Sequence, residues 1–253
     1  MAKDSALMRP VRPNYDFTQY ILGNRAVSGP LAKVYAHFAK LPEGTAVIDA
    51  GCGDWHFGLC APRERKYGVV GIDVSETAIQ KCNVAIAARD HGHDIAIHAD
   101  LANGSVDVGD RDVRGAVSWR VLHALPRGGQ VNACGNIHRL LPEGAIFHIA
   151  VLADSDWKRH ALGDRYIPGQ LNDCSAVMQL DHPWPLYFFG ETHVVDLAKD
   201  TGFVIEEMCK FTEPTGFKHL IEMGRPDITY WYARLRKKGN PEISYWSLRL
   251  KGA

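Results

Sequence analysis

Short apolar runs alternate with helical patterns along most of the chain, and this alternation predicts an α/β fold. Apolar residues recur at helical spacing from Gly29 to Leu41, and the run from Thr45 to Gly53 is a short apolar segment that ends in glycines. The same two patterns predict strands at 69–74, 94–99, 116–122 and 145–152, and helices at 75–89, 126–141 and 191–201. Because helices separate several of these strands, we expect the strands to lie parallel in one sheet.

The last part of the chain has a different pattern. Strand-like segments at 203–211 and 228–236 follow one another with no convincing crossover helix between them. Such a pair is expected to form a C-terminal antiparallel hairpin. The whole pattern therefore predicts an α/β, Rossmann-like, doubly wound and mostly parallel seven-stranded sheet that ends in a C-terminal antiparallel hairpin.

The domain organisation follows from length and composition. A chain of 253 residues is a common size for one α/β domain with a small elaboration. We expect an N-terminal lid or arm at 1–28, a Rossmann-like domain at 29–238 and a C-terminal tail at 239–253. An aromatic-rich insertion at about 155–190 interrupts the domain, and its aromatic residues either line a pocket or form a small core of their own.

The charge balance and the apolar content exclude several classes of partner. Lys plus Arg and Asp plus Glu number 29 each, so no net field draws the protein to nucleic acid. No apolar run is long enough to span a bilayer, and the polar N-terminus lacks a signal peptide, which predicts a cytoplasmic protein without a membrane partner. The six cysteines form no C-x-x-C pair, and we expect no metal site. The oligomeric state stays open.

The chemistry-bearing residues follow the predicted strands. Gly51 and Gly53 form a turn after the first strand, where a ligand must approach the backbone closely. Asp73 ends the second strand, where a carboxylate can accept hydrogen bonds from both hydroxyls of a ribose. Asp100 offers an acceptor for an exocyclic amine, and Leu101 offers an apolar contact for adenine. The three positions together predict an adenosine site.

Three segments resemble the first three motifs of the class I S-adenosylmethionine-dependent methyltransferases. They are Val47–Trp55, Gly71–Asp73 and Ala99–Leu101. The segment at 116–123 and the Leu-Leu-Pro-Glu-Gly turn at 140–144 are similar to the family's fourth strand and to the turn before its fifth strand. The general layout looks like the tellurite-resistance and thiopurine methyltransferase-like branch, which acts on small molecules. A nicotinamide cofactor is disfavoured because G-x-G-x-x-G is incomplete here.

The resemblance implies S-adenosyl-L-methionine as the cofactor and assigns residues to it. Asp49, Gly51 and Gly53 would surround the methionine moiety, and Trp55 would narrow the space beside it. Asp73 would bind the ribose. Asp100 and Leu101 would contact the adenine. Two further candidate cofactor contacts are Trp119, in the fourth strand, and Arg25, which is placed to pair with the cofactor carboxylate.

The catalytic candidates rest on position alone. His123 lies just past the fourth strand, where it could act as a base, although a satisfied core histidine is the commoner outcome. Tyr20 belongs to a segment that either closes over the cofactor as a lid or packs on the sheet as an arm. Tyr187 belongs to the aromatic insertion and completes the candidates.

The favoured function is methyl transfer to a small-molecule substrate in biosynthesis. The sulfonium of the cofactor also activates the aminocarboxypropyl arm, so a cyclase or transferase that releases methylthioadenosine, similar to the azetidine-2-carboxylate synthases, stays open. A third alternative is a non-catalytic cofactor-binding protein. The motifs do not separate these alternatives, because the cofactor site would look the same in each.

Overall fold

The computed structural model describes residues 29–54, 56–62, 64–89, 92–154, 166–167, 174–178, 185–214 and 227–239. The helices in these residues are α1 (Gly29–Phe38), α2 (His56–Cys60), α3 (Glu76–Ala87), α4 (Arg127–Leu140) and α5 (Glu191–Asp200). The strands are β1 (Ala46–Ala50), β2 (Gly68–Asp73), β3 (Ile95–His98), β4 (Val113–Trp119), β5 (Ile146–Leu152), β6 (Tyr166–Ile167), β7 (Cys174–Met178), β8 (Pro185–Phe189), β9 (Phe203–Pro214) and β10 (Asp227–Lys237). The candidates Tyr20, Arg25 and Trp55 and the expected N-terminal lid lie outside the described residues.

The main sheet confirms the predicted fold class. Its seven strands lie in the order β3-β2-β1-β4-β5-β10-β9. Strands β1 to β5 pair in parallel, and the hairpin of β9 and β10 adds antiparallel to β5. This is a Rossmann-like, doubly wound sheet that changes direction only at its C-terminal end.

The aromatic-rich insertion contains a second sheet that the sequence pattern did not predict. Strands β6, β7 and β8 pair antiparallel in that order. Phe188 packs with Leu152 and Tyr230, and Phe189 packs in the largest apolar cluster of the main sheet. These two aromatic residues therefore extend the core of the domain.

The fourth strand begins and ends three residues earlier than predicted. Arg114 and Gly115 interrupt the apolar pattern, so the sequence alone places the start of the strand at Ala116 instead of Val113. The strand ends at Trp119 because Arg120 has a φ of 67°, which turns the chain out of the extended conformation. The predicted last residue of the strand, Leu122, instead begins a short 3-10 turn at Leu122–Ala124.

Both faces of the main sheet are buried. Helices α4 and α5 cover one face, where Ile48, Phe147 and Leu197 are among the buried residues. Helices α1, α2 and α3 cover the other face. On this second face the ring nitrogens of His148 lie 2.9 Å from His37 Nδ1 and 3.0 Å from Tyr232 Oη, as expected for a core histidine. None of the described helices combines the length and the apolar character that crossing a membrane requires.

Candidate functional site

The glycine turn after β1 lies against the end of β2 and the segment after β4. The backbone N–H groups of Gly51 and Cys52 both donate to the carbonyl oxygen of Ile72, at 2.8 and 3.0 Å. Gly51 has a φ of 81°, and a Cβ atom on it would lie 2.4 Å from Cγ2 of Val121. Only glycine combines this conformation with so close an approach of a neighbouring side chain.

Asp73 joins the glycine turn to the start of α3. Its Oδ2 accepts a hydrogen bond from the Gly53 N–H at 2.9 Å, and its Oδ1 accepts one from the Ser75 N–H at 2.8 Å. Burial raises the pKa of Asp73, whereas these backbone hydrogen bonds lower it. Since each carboxylate oxygen has two lone pairs, both oxygens can still accept a hydrogen bond from a ligand hydroxyl.

Asp49 is a buried carboxyl group next to the turn. Its exposed fraction is 3%, and its Oδ2 has no hydrogen-bond partner among the described residues. Burial and the negative charges of Asp73 and Asp54 raise the pKa of Asp49 to about 8. A cation that comes close to such a carboxyl group stabilises its ionised form and lowers its pKa.

Asp100 and Leu101 are held in place by local hydrogen bonds and by α4. The two carboxylate oxygens of Asp100 accept from Ala102 N–H and from Asn103 Nδ2, both at 2.8 Å. The amide Nδ2 of Asn136, in α4, donates to the carbonyl oxygen of Leu101 at 2.7 Å. The segment after β3 is therefore fixed in position before any ligand arrives.

A cavity of about 80 Å³ connects these elements. Its lining includes Gly51, Asp73, Asp100, Leu101, Ser118 and Val121. The Ser118 hydroxyl is fully buried and has no hydrogen-bond partner among the described residues. The structure thus brings together four of the predicted cofactor residues at one cavity, and it adds Ser118 and Val121, which the sequence analysis did not select.

The remaining described candidates lie around the cavity and do not line it. Trp119 points to the opposite face of β4 from Ser118 and packs on Phe211 and Tyr232, with ring centroids at 5.8 and 6.4 Å. His123 is buried in the 3-10 turn between two residues that do line the cavity. Tyr187, in β8, is half-buried against the core, and β8 contacts the same turn.

Arg120 is the further residue that sequence reasoning missed. Its guanidinium forms an ion pair with Glu213 and lies over the Tyr230 ring, 4.9 Å from the ring centroid. No signal in the sequence marks this position, because a positive φ is expected at glycine or asparagine and not at arginine. In the part of the chain that the structure describes, no three His, Cys, Asp or Glu side chains form a group that could hold a metal ion.

Comparison with solved structures identifies the fold. A methyltransferase from Methanosarcina mazei, described as S-adenosylmethionine-dependent, is 18% identical over 82% of this chain and 98% of its own, with a TM-score of 0.62. A 1,6-didemethyltoxoflavin N1-methyltransferase from Burkholderia thailandensis, solved with that substrate and S-adenosylhomocysteine, is 16% identical over 83% of this chain and 79% of its own, with a TM-score of 0.57. A TehB-like methyltransferase from Corynebacterium glutamicum is 17% identical over 84% of this chain and 89% of its own, with a TM-score of 0.52.

Neither the protein-family models nor the curated proteins give a match to this chain. At identities below 20%, the similar structures establish the architecture and not the reaction. They include a member of the tellurite-resistance type that the sequence layout indicates, so that resemblance is confirmed for the fold. The chain has the fold of the class I S-adenosylmethionine-dependent methyltransferases.

Proposed function

We propose that this protein is an S-adenosylmethionine-dependent methyltransferase that acts on a small-molecule substrate. The observation that carries the proposal is the arrangement at the cavity. Asp73 and Asp100 line it together with the glycine turn, at the carboxyl ends of neighbouring parallel strands. Ligands of open α/β sheets bind at this edge.

The residues at the cavity fit the adenosine half of the cofactor. Both oxygens of Asp73 can accept from ribose hydroxyls while they hold the two backbone N–H groups. Leu101 offers an apolar contact for the adenine, and Asp100 lies beside it in the lining. Gly51 has no room for a side chain, which lets the backbone of the turn form a wall of the site.

Asp49 fits the charged half of the cofactor. Its Oδ2 is a buried acceptor behind the glycine turn and has no hydrogen-bond partner among the residues that the structure describes. S-adenosylmethionine carries an ammonium group and a sulfonium group, and either charge favours the ionised form of a nearby carboxyl group. We infer that Asp49 ionises when the cofactor binds and contributes to its affinity.

The chain's own part in the reaction is to bind, orient and exclude water. When bound, the cofactor supplies a methyl carbon activated by its positively charged sulfur. Alignment of an acceptor with that carbon accounts for most of the acceleration that such an enzyme needs. His123 lies in the 3-10 turn, and Tyr187 lies in β8, which contacts that turn. Tyr20 precedes the described domain. The catalytic roles of all three stay predictions.

The choice of a small-molecule acceptor rests on two observations. The charges of the chain balance, which gives no field for binding nucleic acid. The toxoflavin enzyme with the same fold was solved with a small heterocyclic substrate and S-adenosylhomocysteine. A role in cytoplasmic biosynthesis follows from the sequence analysis and stays part of the proposal.

Product analysis tests the proposal. The purified protein is incubated with S-adenosylmethionine, alone and with a library of small metabolites, and the nucleosides are identified by mass spectrometry. We expect S-adenosylhomocysteine to form only when an acceptor is present, and Asp73→Asn to abolish its formation at low cofactor concentration. Methylthioadenosine formed without an acceptor, in excess of a control without enzyme, would contradict methyl transfer and would support attack on the aminocarboxypropyl arm. If the cofactor stays intact under every condition, the result would favour a non-catalytic cofactor-binding protein.

A further inference from the structure

Arg120 has a backbone conformation that its side chain does not favour. Its φ of 67° is the single positive value at a non-glycine residue in the described part of the chain. Long side chains avoid this region, because the Cβ atom comes close to the following carbonyl oxygen. Unfavourable conformations of this kind cluster at functional sites, where the surrounding structure holds them in place.

The guanidinium of Arg120 is fixed by two contacts. Its Nη2 forms the ion pair with Glu213, whose side chain is only 11% exposed. Its Cζ lies 4.9 Å from the centroid of the Tyr230 ring, which is buried beneath it. Because β5 and β10 lie between β4 and β9, the side chain of Arg120 reaches across the carboxyl end of β5 to meet Glu213. The cation is therefore oriented before any ligand binds.

The position of Arg120 places it beside the cofactor cavity. The next residue, Val121, lines that cavity and lies against Gly51. The backbone N–H of Arg120 donates to the carbonyl oxygen of Ala150 at 2.9 Å, which fixes the turn at the end of β4. The main chain of Arg120 therefore adjoins the cavity lining, and its side chain extends from there toward Glu213.

The exposed part of Arg120 has the chemistry of a carboxylate anchor. A guanidinium has five N–H donors in a planar fork, and Glu213 is contacted through one nitrogen of that fork. The side chain remains 43% exposed, so the other donors can meet a ligand. Phe211 stacks on Tyr230, the ring beneath the guanidinium, with ring centroids 5.4 Å apart, and its half-buried ring offers an apolar surface for a flat molecule.

We propose that Arg120, oriented by Glu213 and Tyr230, anchors the acceptor substrate by binding a carboxylate on a planar ring. This inference rests on the proposed function, since it assigns the acceptor side of the same site. It adds a substrate class, a planar aromatic or heteroaromatic acid, and a residue that selects it. The buried Glu213 acts through Arg120 and is a positioning residue.

Binding of two matched probes tests this inference without knowledge of the natural acceptor. Benzoate and benzamide have the same shape, but only benzoate carries the carboxylate. Each is titrated by NMR into protein saturated with S-adenosylhomocysteine, using the wild type, Arg120→Gln and Arg236→Gln. Arg236 is the matched control, because its side chain is also 43% exposed and pairs with Glu206, toward the opposite end of the hairpin.

We expect wild type to bind benzoate at least about tenfold more tightly than benzamide, as a charge-assisted pair requires. Arg120→Gln should remove that preference, and Arg236→Gln should keep it. The affinity of Arg120→Gln for S-adenosylhomocysteine should equal that of wild type. Equal binding of the two probes by wild type, or retention of the preference in Arg120→Gln, would overturn the inference.

A glycine variant separates binding from a purely structural role. Arg120→Gly removes the guanidinium and relieves the unfavourable φ, so we expect benzoate binding to disappear while the melting temperature stays equal or rises. A lower melting temperature together with intact benzoate binding would show that Arg120 stabilises the fold and does not bind the acceptor. If wild type fails to bind S-adenosylhomocysteine, the proposed function is contradicted. The same probe titrations on the unliganded protein then decide the role of Arg120 separately.

Discussion

The amino ends of the parallel strands form one edge of the main sheet, the amino edge, and their carboxyl ends form the other, the carboxyl edge. Each of these edges contains a buried aspartate, and the two aspartates differ in their partners. At the amino edge, Asp94 precedes β3 and pairs with Arg65, and both side chains are 1% exposed. Its Oδ1 also accepts a hydrogen bond from the Val69 N–H at 2.8 Å. At the carboxyl edge, Oδ2 of Asp49 has no hydrogen-bond partner in the described part of the chain, and the pKa of Asp49 is raised to about 8.

Two positive-φ glycines, one at each edge, differ in the same way. Gly144, in the turn before β5, has a φ of 75° and no atom within 4 Å of an added Cβ. Gly51, after β1, has a similar φ, but a Cβ atom added to it would clash with the side chain of Val121. The amino edge carries a completed ion pair and an open turn at Gly144. The carboxyl edge holds the Asp49 carboxyl group and the Gly51 turn in a form that a ligand would complete. Differences of this kind identify the functional edge without a bound ligand.

The largest expected effect is at the amino edge. Asp94→Asn removes the negative charge and leaves Arg65 buried without its partner. We expect the free energy of unfolding to fall by roughly 3–5 kcal/mol, as for other buried pairs that lose one member. Urea denaturation measures it, with Asp112→Asn as control, because Asp112 pairs with Arg114 at the surface, where such a pair contributes at most about 1 kcal/mol. Equal losses in the two variants would contradict a structural role for the Arg65–Asp94 pair.

The two glycine turns provide the next comparison. Gly51→Ala introduces an unfavourable φ and a clash with Val121, so we expect a loss of about 2–4 kcal/mol in unfolding free energy. Gly144→Ala introduces only the unfavourable φ, for about 1–2 kcal/mol. S-adenosylmethionine affinity should fall in Gly51→Ala alone. The account of the turn is wrong if both variants lose the same stability and keep the same affinity.

Asp49→Asn should act on stability in the opposite direction from Asp94→Asn. The carboxyl group of Asp49 is protonated in the folded state up to a pKa of about 8, but ionised in the unfolded state above its ordinary value of 3.8. Stability is therefore lost as pH rises between these two values. At pH 8 we expect the variant to be more stable than wild type, and near pH 4 we expect no difference between the two. Chemical denaturation across this range would reject the assignment if the difference were independent of pH.

The smallest expected effect is on the pH dependence of cofactor binding. If the cofactor's positive charge ionises Asp49, the ratio of wild-type to Asp49→Asn affinity should rise by roughly tenfold from pH 6.5 to pH 8.5. The ratio is the quantity to follow, since the amine of the ligand titrates in the same way for both proteins. A constant ratio in calorimetric titrations would place the cofactor's charge away from Asp49.

The sequence was sufficient for the elements that repeat a pattern and insufficient for those that depend on distant contacts. Asp73 and Asp100 could be found because each directly follows or ends a short apolar run, and strand ends at one edge lie together. Arg65 and Asp94 lie 29 positions apart and share no local pattern. Arg120 has a conformation that its residue type disfavours, so only the folded chain reveals it. Strand β6 has two residues and is too short to show a period.

Direct binding of S-adenosylmethionine tests the central claim, that the carboxyl edge of the sheet is a cofactor site. Isothermal titration calorimetry is performed on wild type and on Asp73→Asn, after a melting curve has shown that both are folded. The account predicts one cofactor per chain for wild type and an affinity about 10- to 100-fold lower for Asp73→Asn. No binding by the folded wild type, or equal affinity in the two proteins, would contradict it.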